Sequence, residues 1–464
     1  MAEHIKKKSD GMGDEPEEAE MFCPKKRLRT VDAVALIVGI VIGAGIFRTP
    51  SLVAANVGSG VEIILVWVIG GLVSLIGALC YAELVSTFPN TGGDYYFLRL
   101  AFGKRIAFLF AWARMTVIQT GSIALLAFIF GDYASQIYSL GKFSAGIYAA
   151  SVVLFLTVIN IAGIRKGTET QKLLTVVEVL GLALVIVVGF FFVPEAEFSI
   201  LPDSHPSSDN SMGLAMVFVL LTFGGWNEAA YISAEMRFGQ RSVVKALMMS
   251  IVLITVIYLL VNLALLNALG QVGMSGSEAV AVDLMRLAFG KWGVLMISAL
   301  VAISALASAN ATIFTGARSN YAMGRDFAGF ELIGDWKVKN SVPVNAFLLQ
   351  GLISLILIGL GLFTRSGFET MVEYTAPVFW FFLLLVGLSL FILRRKEPEA
   401  IRPFRVPFFP LLPIGFCMTS LYLLYSSIVY TSWGAFLGIA VLGLGLLLQF
   451  INPSLLEDIG NGSE

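Results

Sequence analysis

Residues 32–58 read DAVALIVGIVIGAGIFRTPSLVAANVG, an apolar run long enough to cross a bilayer but interrupted near its middle by Gly43, Ala44 and Gly45. Glycine in a helix interior costs about 1 kcal/mol against alanine. In lipid, irregular backbone is tolerated only where it is buried in protein or lines a cavity. Gly39 and Gly43 also form a GxxxG, which by itself signals close helix packing. A second run, GLAMVFVLLTFGGWNEAAYISAEM at 213–236, carries Gly224 and Gly225 at the corresponding place.

Outward from these two stretches the chain is built for lipid. Of its 464 residues 57% are hydrophobic and 14% charged, with 46 Gly and 35 Phe. Ordinary soluble domains carry about 25% charged residues. That balance excludes a soluble enzyme, a nucleic-acid binder and a disordered scaffold, and the short alternating segments of a membrane β-barrel are missing. Helices of about 20 residues span a bilayer. Apolar runs at 31–57, 61–87, 105–131, 144–163, 170–193, 212–236, 243–268, 292–318, 344–363, 368–393, 407–427 and 432–451 predict an all-α polytopic membrane protein of twelve spans, the last two close enough to form a hairpin.

The distribution of positive charge tests that count. With twelve spans, 25 of the 31 Lys and Arg fall on one side, and only Lys142, Arg286, Lys291 and Arg365 on the other. The positive-inside rule then places both termini in the cytoplasm. Residues 1–30 read as a solvated polar tail, 452–464 as a second tail and 194–211 as an external linker without Lys or Arg. Residues 277–290 read as an amphipathic helix on the outer surface, either a solvated loop helix or a lid over the entry path.

The interrupted spans are the first and the sixth, five apart. Such a pair points to a transporter site at the bilayer midplane. It divides the chain into a five-span repeat at 31–193, an inverted repeat at 212–393 and two further helices at 394–451. A broken helix offers amide donors that favour an anion and carbonyls that accept from a cation. A zwitterionic α-amino acid matches both.

Several motifs agree with this. GIVIGAGIF at 39–47, YAEL at 81–84 followed by PNTGGDYYF at 89–97, FGGWNEAAYISAE at 223–235, ARSNYAMGRD at 317–326 and RPFRVPFFPLLP at 402–413 resemble the amino acid–polyamine–organocation superfamily, closest to the L-type amino acid transporters and their bacterial relatives. The resemblance covers about 30–451. It implies the leucine-transporter fold, two inverted five-helix repeats plus two helices, working by alternating access. Carried over, the amides of Gly43, Ala44 and Gly45 hold the substrate carboxylate. The carbonyls of Ile42 and Phe223 hold its ammonium, with Ile46, Gly224 and Gly225 in the same unwound segments. Asn227, beside Trp226, is a polar support. Leu221 stands where mammalian relatives carry a gating aromatic, so either Phe223 shares that role or the gate differs.

Charge is the main departure. L-type relatives carry a Lys in span five, where TQKLLTVVEVL at 170–180 has Glu178. Many relatives carry an acid two residues after the span-three Trp, where this chain has Trp112, Ala113 and Arg114. A lone charge at mid-membrane is costly, so Arg114 and Glu178 are expected to pair across spans three and five. Glu178 is read either as structural or as a proton carrier. Ser122, Trp226 and Glu228 are candidates for the permeation path. Arg48 either snorkels, pairs with Glu235 or Glu62, or reaches a substrate side chain. Glu83, Arg318, Arg325 and Asp326 are candidates for an inner gate.

The expected function is secondary transport of neutral L-amino acids across the plasma membrane, by exchange or proton symport. The alternative is a non-transporting sensor or structural protein of the same fold. No HExxH, P-loop or GxSxG is present, so an enzyme is not expected, and neither is a metal, a cofactor or a nucleic-acid partner. Ser304 and Ser308 do not follow the paired pattern of a sodium site. The loop 132–143 has no Cys, so no disulfide-linked accessory subunit is expected; the partners are the amino acid, the lipid bilayer and, for symport, a proton.

Overall fold

A computed structural model describes residues 30–90, 92–162, 167–194, 212–228, 240–336, 342–364, 366–429 and 433–453. Both polar tails, Glu235 and nearly all of the 194–211 linker lie outside them. The first span is in pieces: α1 (Thr30–Val41), a 3-10 turn (Ala44–Phe47) and α2 (Thr49–Asn56). The long helix α3 (Gly60–Thr87) follows. The short α4 (Gly93–Phe102) leads into α5 (Lys104–Ala113), a π-turn (Arg114–Ile118) and α6 (Gln119–Ile137), which together make the third span. Next come α7 (Ser144–Ile161), α8 (Gly167–Phe191) and α9 (Met212–Thr222), the last followed by a 3-10 turn at Trp226–Glu228. The rest are α10 (Gln240–Ser275), α11 (Val280–Asp326), α12 (Val344–Gly361), α13 (Gly367–Lys396), α14 (Leu411–Val429) and α15 (Trp433–Ile451).

Among the described residues nine helices are long and apolar enough to cross a membrane, and Val176–Phe191 and Met212–Glu228 are shorter apolar helices. With the broken first span these make the twelve that the sequence predicts. Serine hydroxyls start two of the spans in the same way. Ser59 accepts from the Glu62 N–H and Ser366 from the Glu369 N–H, each ahead of an apolar run.

The two most extensive helix pairings are α6 with α11 and α3 with α10. They join the third span to the eighth and the second to the seventh, five apart like the two interrupted spans. Small residues allow the close approach. A Cβ on Gly71 of α3 would run into Thr255 of α10, and one on Gly121 of α6 into Thr375 of α13. The last helices lie outside this core: the Trp112 indole donates to the Val441 carbonyl at 2.8 Å and fixes α15 against α5.

The boundaries of the third and eighth spans differ from expectation. The third span runs on to Ile137, past the predicted 131. The eighth begins at Val280 rather than 292, because the predicted surface helix is continuous with it except for a kink at Gly290 (φ 56°). That outer helix buries Val280, Ala281, Val282, Leu284 and Met285. With that face the helix packs down on the bundle.

Candidate functional site

Both predicted breaks are present. In the first span the last regular bond runs from the Ile42 N–H to the Val38 carbonyl at 2.7 Å, and the Gly43 N–H turns back to Val41 at 2.9 Å. Gly43 is extended (φ −113°, ψ −176°) before the 3-10 turn begins. In the sixth span the Phe223 N–H still reaches Val219 at 2.9 Å, but that of Gly224 reaches Leu221 at 3.0 Å. Gly225 then takes φ 105°, a left-handed conformation that glycine adopts without penalty.

The ruptured ends are tied to each other. The Tyr258 Oη of α10 lies 2.9 Å from the Val41 carbonyl and 3.2 Å from the Thr222 carbonyl, so one hydroxyl serves the last turn of both broken helices. The hydroxyls of Thr49 and Thr222 meet at 2.7 Å just beyond. Tyr258 is held in turn by Trp67 and Phe223, with ring centroids 5.4 and 5.0 Å away. Buried carbonyls freed by a break need such donors, and neither Tyr258 nor the two threonines were legible as site residues in the sequence.

Between the breaks lies a cavity of about 320 Å³. Gly43 and Gly45 of the first span and Leu221, Thr222, Gly224, Gly225, Asn227 and Glu228 of the sixth line it, opposite Arg114, Ile118, Gln119 and Ser122 of the third. Ser308, Thr312 and Thr315 of α11 and Thr375, Phe379 and Phe382 of α13 complete the wall. The cavity runs from the breaks toward the end of the bundle that carries α4 and the Lys/Arg-rich loops. Its walls mix apolar surface with hydroxyls and amides, the usual make-up of a small-ligand site.

Of the predicted residues, Gly43, Gly45, Gly224, Gly225, Asn227, Ser122, Arg114 and Glu228 face this space. Ile42, Ala44 and Ile46 are buried behind it. Phe223 is fully buried in the Trp67–Tyr258 cluster, so its ring is not a gate in this conformation. Trp226 packs edge-on against Tyr81, with centroids 4.9 Å apart, and lines a small neighbouring cleft instead.

The expected pairing of Arg114 with Glu178 is not found. Arg114 Nη2 lies 3.2 and 3.3 Å from the two carboxylate oxygens of Glu228, across the cavity on the sixth span. Glu178 instead accepts from Ser304 Oγ at 2.6 Å, is 2% exposed and does not line the cavity. The reason is positional. The π-turn that begins at Arg114 points the guanidinium inward toward the sixth-span break, whereas Glu178 faces α11. π-Turns of this kind are frequent at functional sites. The carbonyl of Thr116 in this turn accepts from the Tyr374 hydroxyl at 2.9 Å.

Asp94, at the start of α4 and outside the spans, joins Arg114 and Glu228 on the wall and was not foreseen. Its carboxylate oxygen Oδ2 is 3.5 Å from Asn227 Nδ2, and Asn227 Oδ1 accepts from the Gly225 N–H at 3.3 Å. Burial, and after it the Glu228 charge, push the Asp94 carboxyl up to about 7, while Arg114 pulls it down.

The opposite end is closed. Arg48, at the head of α2, donates to the carbonyl of Glu278 in the turn before α11 and lies 3.8 Å from Glu369 at the start of α13. The Tyr133 hydroxyl donates to the Phe47 carbonyl at 2.9 Å. Arg48 therefore makes neither of its predicted contacts within the described residues. The Glu62 carboxylate accepts from the Gly58 N–H instead.

The predicted inner-gate set is also rearranged. Glu83, 1% exposed, accepts from Arg394 at 2.8 and 2.6 Å and from the Val406 N–H at 2.7 Å, with Arg402 at 3.6 Å. It pins the RPFRVP segment to α3. Asp326 accepts from the Tyr95 hydroxyl at 3.0 Å.

A sequence profile described as amino acid permease matches residues 28–446. The chain is 29% identical over 437 residues to b(0,+)-type amino acid transporter 1 of Mus musculus, covering 92% of this chain and 88% of that one. The human protein of that name is 27% identical over 456 residues, 96% of this chain and 92% of its own. Large neutral amino acids transporter small subunit 2 of Mus musculus is 29% identical over 437 residues, 92% of this chain and 81% of that one.

Proposed function

The chain belongs to the amino acid permease family, and from that premise we propose that it is a secondary transporter carrying neutral L-amino acids by alternating access, as an exchanger or a proton symporter. The observation that carries this reading is the cavity of about 320 Å³ touching the ruptured backbone of both spans at once. The substrate carboxylate is held by the amides of Gly43, Ala44 and Gly45 and the ammonium by the carbonyls of Ile42 and Phe223, which requires the Gly43 N–H to leave the Val41 carbonyl and the Ile42, Ala44 and Phe223 backbone, here behind the cavity wall, to come forward. Ile46, Gly224 and Gly225 shape the same unwound segments and Asn227 supports them. The side chain extends toward Ile118, Ser122, Leu221 and Phe379, a mainly apolar and uncharged lining that suits a neutral side chain.

The repeats are 31–193 and 212–393, with 194–211 an external linker, 394–451 the additional helix pair, and 1–30 and 452–464 cytoplasmic tails. The protein sits in the plasma membrane with both termini in the cytoplasm, because the Lys/Arg-rich loops then face inward. The described conformation is therefore inward-facing: its cavity extends to the cytoplasmic end, and Arg48 and the outer helix of α11 close the other. The loop 132–143 carries no Cys, so any accessory subunit is held without a disulfide there.

Uptake into proteoliposomes loaded with each of the twenty amino acids, with and without pH and sodium gradients, tests this. Trans-stimulation without ion dependence identifies exchange; accumulation driven by a pH gradient into empty vesicles identifies symport. Failure of every neutral amino acid to be taken up or exchanged overturns the reading.

A further inference from the structure

Inside the cavity two carboxylates, Asp94 and Glu228, share one guanidinium, Arg114. When all three are ionised the cluster carries a formal charge of −1. Arg114 is engaged with Glu228 at 3.2 Å. Asp94 is 5% exposed and lines the cavity; the Tyr81 hydroxyl and the Asn227 amide group face its carboxylate, and no hydrogen bond of good geometry reaches its Oδ1. A buried carboxylate oxygen without a donor is costly. The smallest ligand that removes both the excess charge and the missing donor is a proton.

We propose that Asp94 is a proton-binding site of this cavity, and that proton uptake there is coupled to amino acid binding through Asn227. The inference rests on the carrier reading above and adds to it the identity of the proton site. The proton is delivered by hydronium through the cavity: one hydronium O–H bond breaks, leaving a neutral water, as the Asp94 Oδ1–H bond forms.

The surroundings support titration at this place. Arg114 from the third span and Glu228 from the sixth face Asp94, and Tyr81 faces it from α3. Glu83, on the same helix as Tyr81, is committed to Arg394 and the Val406 N–H. On α4 itself Arg99 lies in the last turn. From α13, which packs along α4, Lys396 binds the carbonyls of Leu100 and Ala101 at the far end of that helix. The burial and charge effects that place the Asp94 carboxyl at about 7 make its occupancy responsive near neutral pH.

The coupling route is a short chain of contacts. Ionised Asp94 attracts the Asn227 amide group at 3.5 Å, and Asn227 Oδ1 in turn occupies the Gly225 N–H at 3.3 Å. Protonation at Oδ1 leaves Oδ2 a neutral and weaker acceptor, which loosens the hold on Asn227 and through it on the Gly225 N–H at the sixth-span break. It also removes a negative charge from the space that a substrate carboxylate enters. Both effects have the same sign: the amino acid binds more tightly when Asp94 is protonated. By reciprocity, bound amino acid raises the proton affinity.

The test uses the full-length protein purified in detergent, with L-alanine, L-serine and L-leucine as separate probes. Calorimetry in buffers of different ionisation enthalpy reports the protons taken up on binding. The expected result is a Kd that weakens about tenfold between pH 6 and 8, a coupling of ordinary size, with net proton uptake near pH 7. Asp94→Asn makes Kd independent of pH and abolishes the uptake; Asp94→Glu restores a pH dependence; Glu178→Gln leaves it as in the wild type. A wild-type slope retained in Asp94→Asn, or no uptake by the wild type, overturns the proposal.

A readout without substrate separates the two claims. In pH-difference infrared spectra of the unliganded protein, a carboxyl C=O band appearing below about pH 7 and missing in Asp94→Asn supports the proton site even if no probe binds, in which case the carrier reading fails alone. Absence of a band sensitive to that substitution overturns the proton site by itself.

Discussion

The hydroxyl of Tyr258 donates to the carbonyl of Val41 at 2.9 Å, and the Thr222 carbonyl lies 3.2 Å from the same oxygen. One side chain on the seventh span thus holds the ends of both broken helices. Tyr258→Phe leaves the ring packing with Trp67 and Phe223 intact and strands two buried carbonyls. The expected loss is about 1–3 kcal/mol in stability, read by thermal unfolding in detergent, with a larger fall in amino acid affinity than in the amount of folded protein.

Gly43 and Gly225 respond differently to alanine. Gly225 has φ 105°, and a Cβ there would lie 3.1 Å from Ile40 Cγ2. The left-handed backbone costs a non-glycine residue about 1–2 kcal/mol, so Gly225→Ala lowers the melting temperature and abolishes uptake. Gly43 has a backbone any residue adopts, and its Cβ would meet only Ser308 Oγ at 3.4 Å. Gly43→Ala therefore folds as well as the wild type and raises the KM for uptake, because the methyl group enters the cavity.

Arg114 and Glu228 are coupled, and Arg114 and Glu178 are not. Arg114→Gln leaves Glu228 and Asp94 without their guanidinium and costs about 1–3 kcal/mol, between the values for an exposed and a fully buried pair because Glu228 is partly exposed. In a double-mutant cycle with Glu228→Gln the two losses are less than additive. The corresponding cycle with Glu178→Gln is additive within about 0.5 kcal/mol.

Glu83 anchors the linker between α13 and α14. Glu83→Ala leaves Arg394 and the Val406 N–H without their buried acceptor, and thermal unfolding should show a loss of about 3–5 kcal/mol. Glu83→Gln loses less, since its amide oxygen still accepts from Val406.

Asp94 gives the stability a pH dependence of known sign. Its carboxyl is raised from 3.8 to about 7 in the folded protein, so the folded state holds this proton more tightly than the unfolded one. The resulting stabilisation is complete below pH 3.8 and is lost as pH rises through about 7, by at most about 1.4 kcal/mol per unit. Melting temperatures measured from pH 5.5 to 8 should fall less for Asp94→Asn than for the wild type.

Much of this was legible in the chain. Long apolar runs, the one-sided Lys and Arg, and glycines at 43–45 and 224–225 were enough for the twelve spans and both breaks. These are local properties: a segment of that length and polarity is driven into lipid, and glycines at mid-membrane mark where its helix fails. The wall of the cavity was less legible. Asn227 and Glu228 were picked out because they lie beside a break, and Ser122 as a polar residue of the third span. Asp94 and Ser308 on the wall, and Tyr258 behind it, belong to segments whose sequence does not reveal that they meet there.

The charges show the division most clearly. That Arg114 and Glu178 each needed a partner inside the membrane followed from composition alone, because a buried charge is costly wherever it lies. Which partner each took depended on a π-turn that redirects one side chain and on the contact of α8 with α11, and neither is written in local spacing. Residues 32–58 and 213–236 determined by themselves that two helices would break at the middle of the bilayer. Only the packing of distant helices decided that the broken ends would share a single tyrosine hydroxyl and enclose a common cavity, because contacts between residues on different helices, such as Tyr258 and Val41, are set by the assembled bundle.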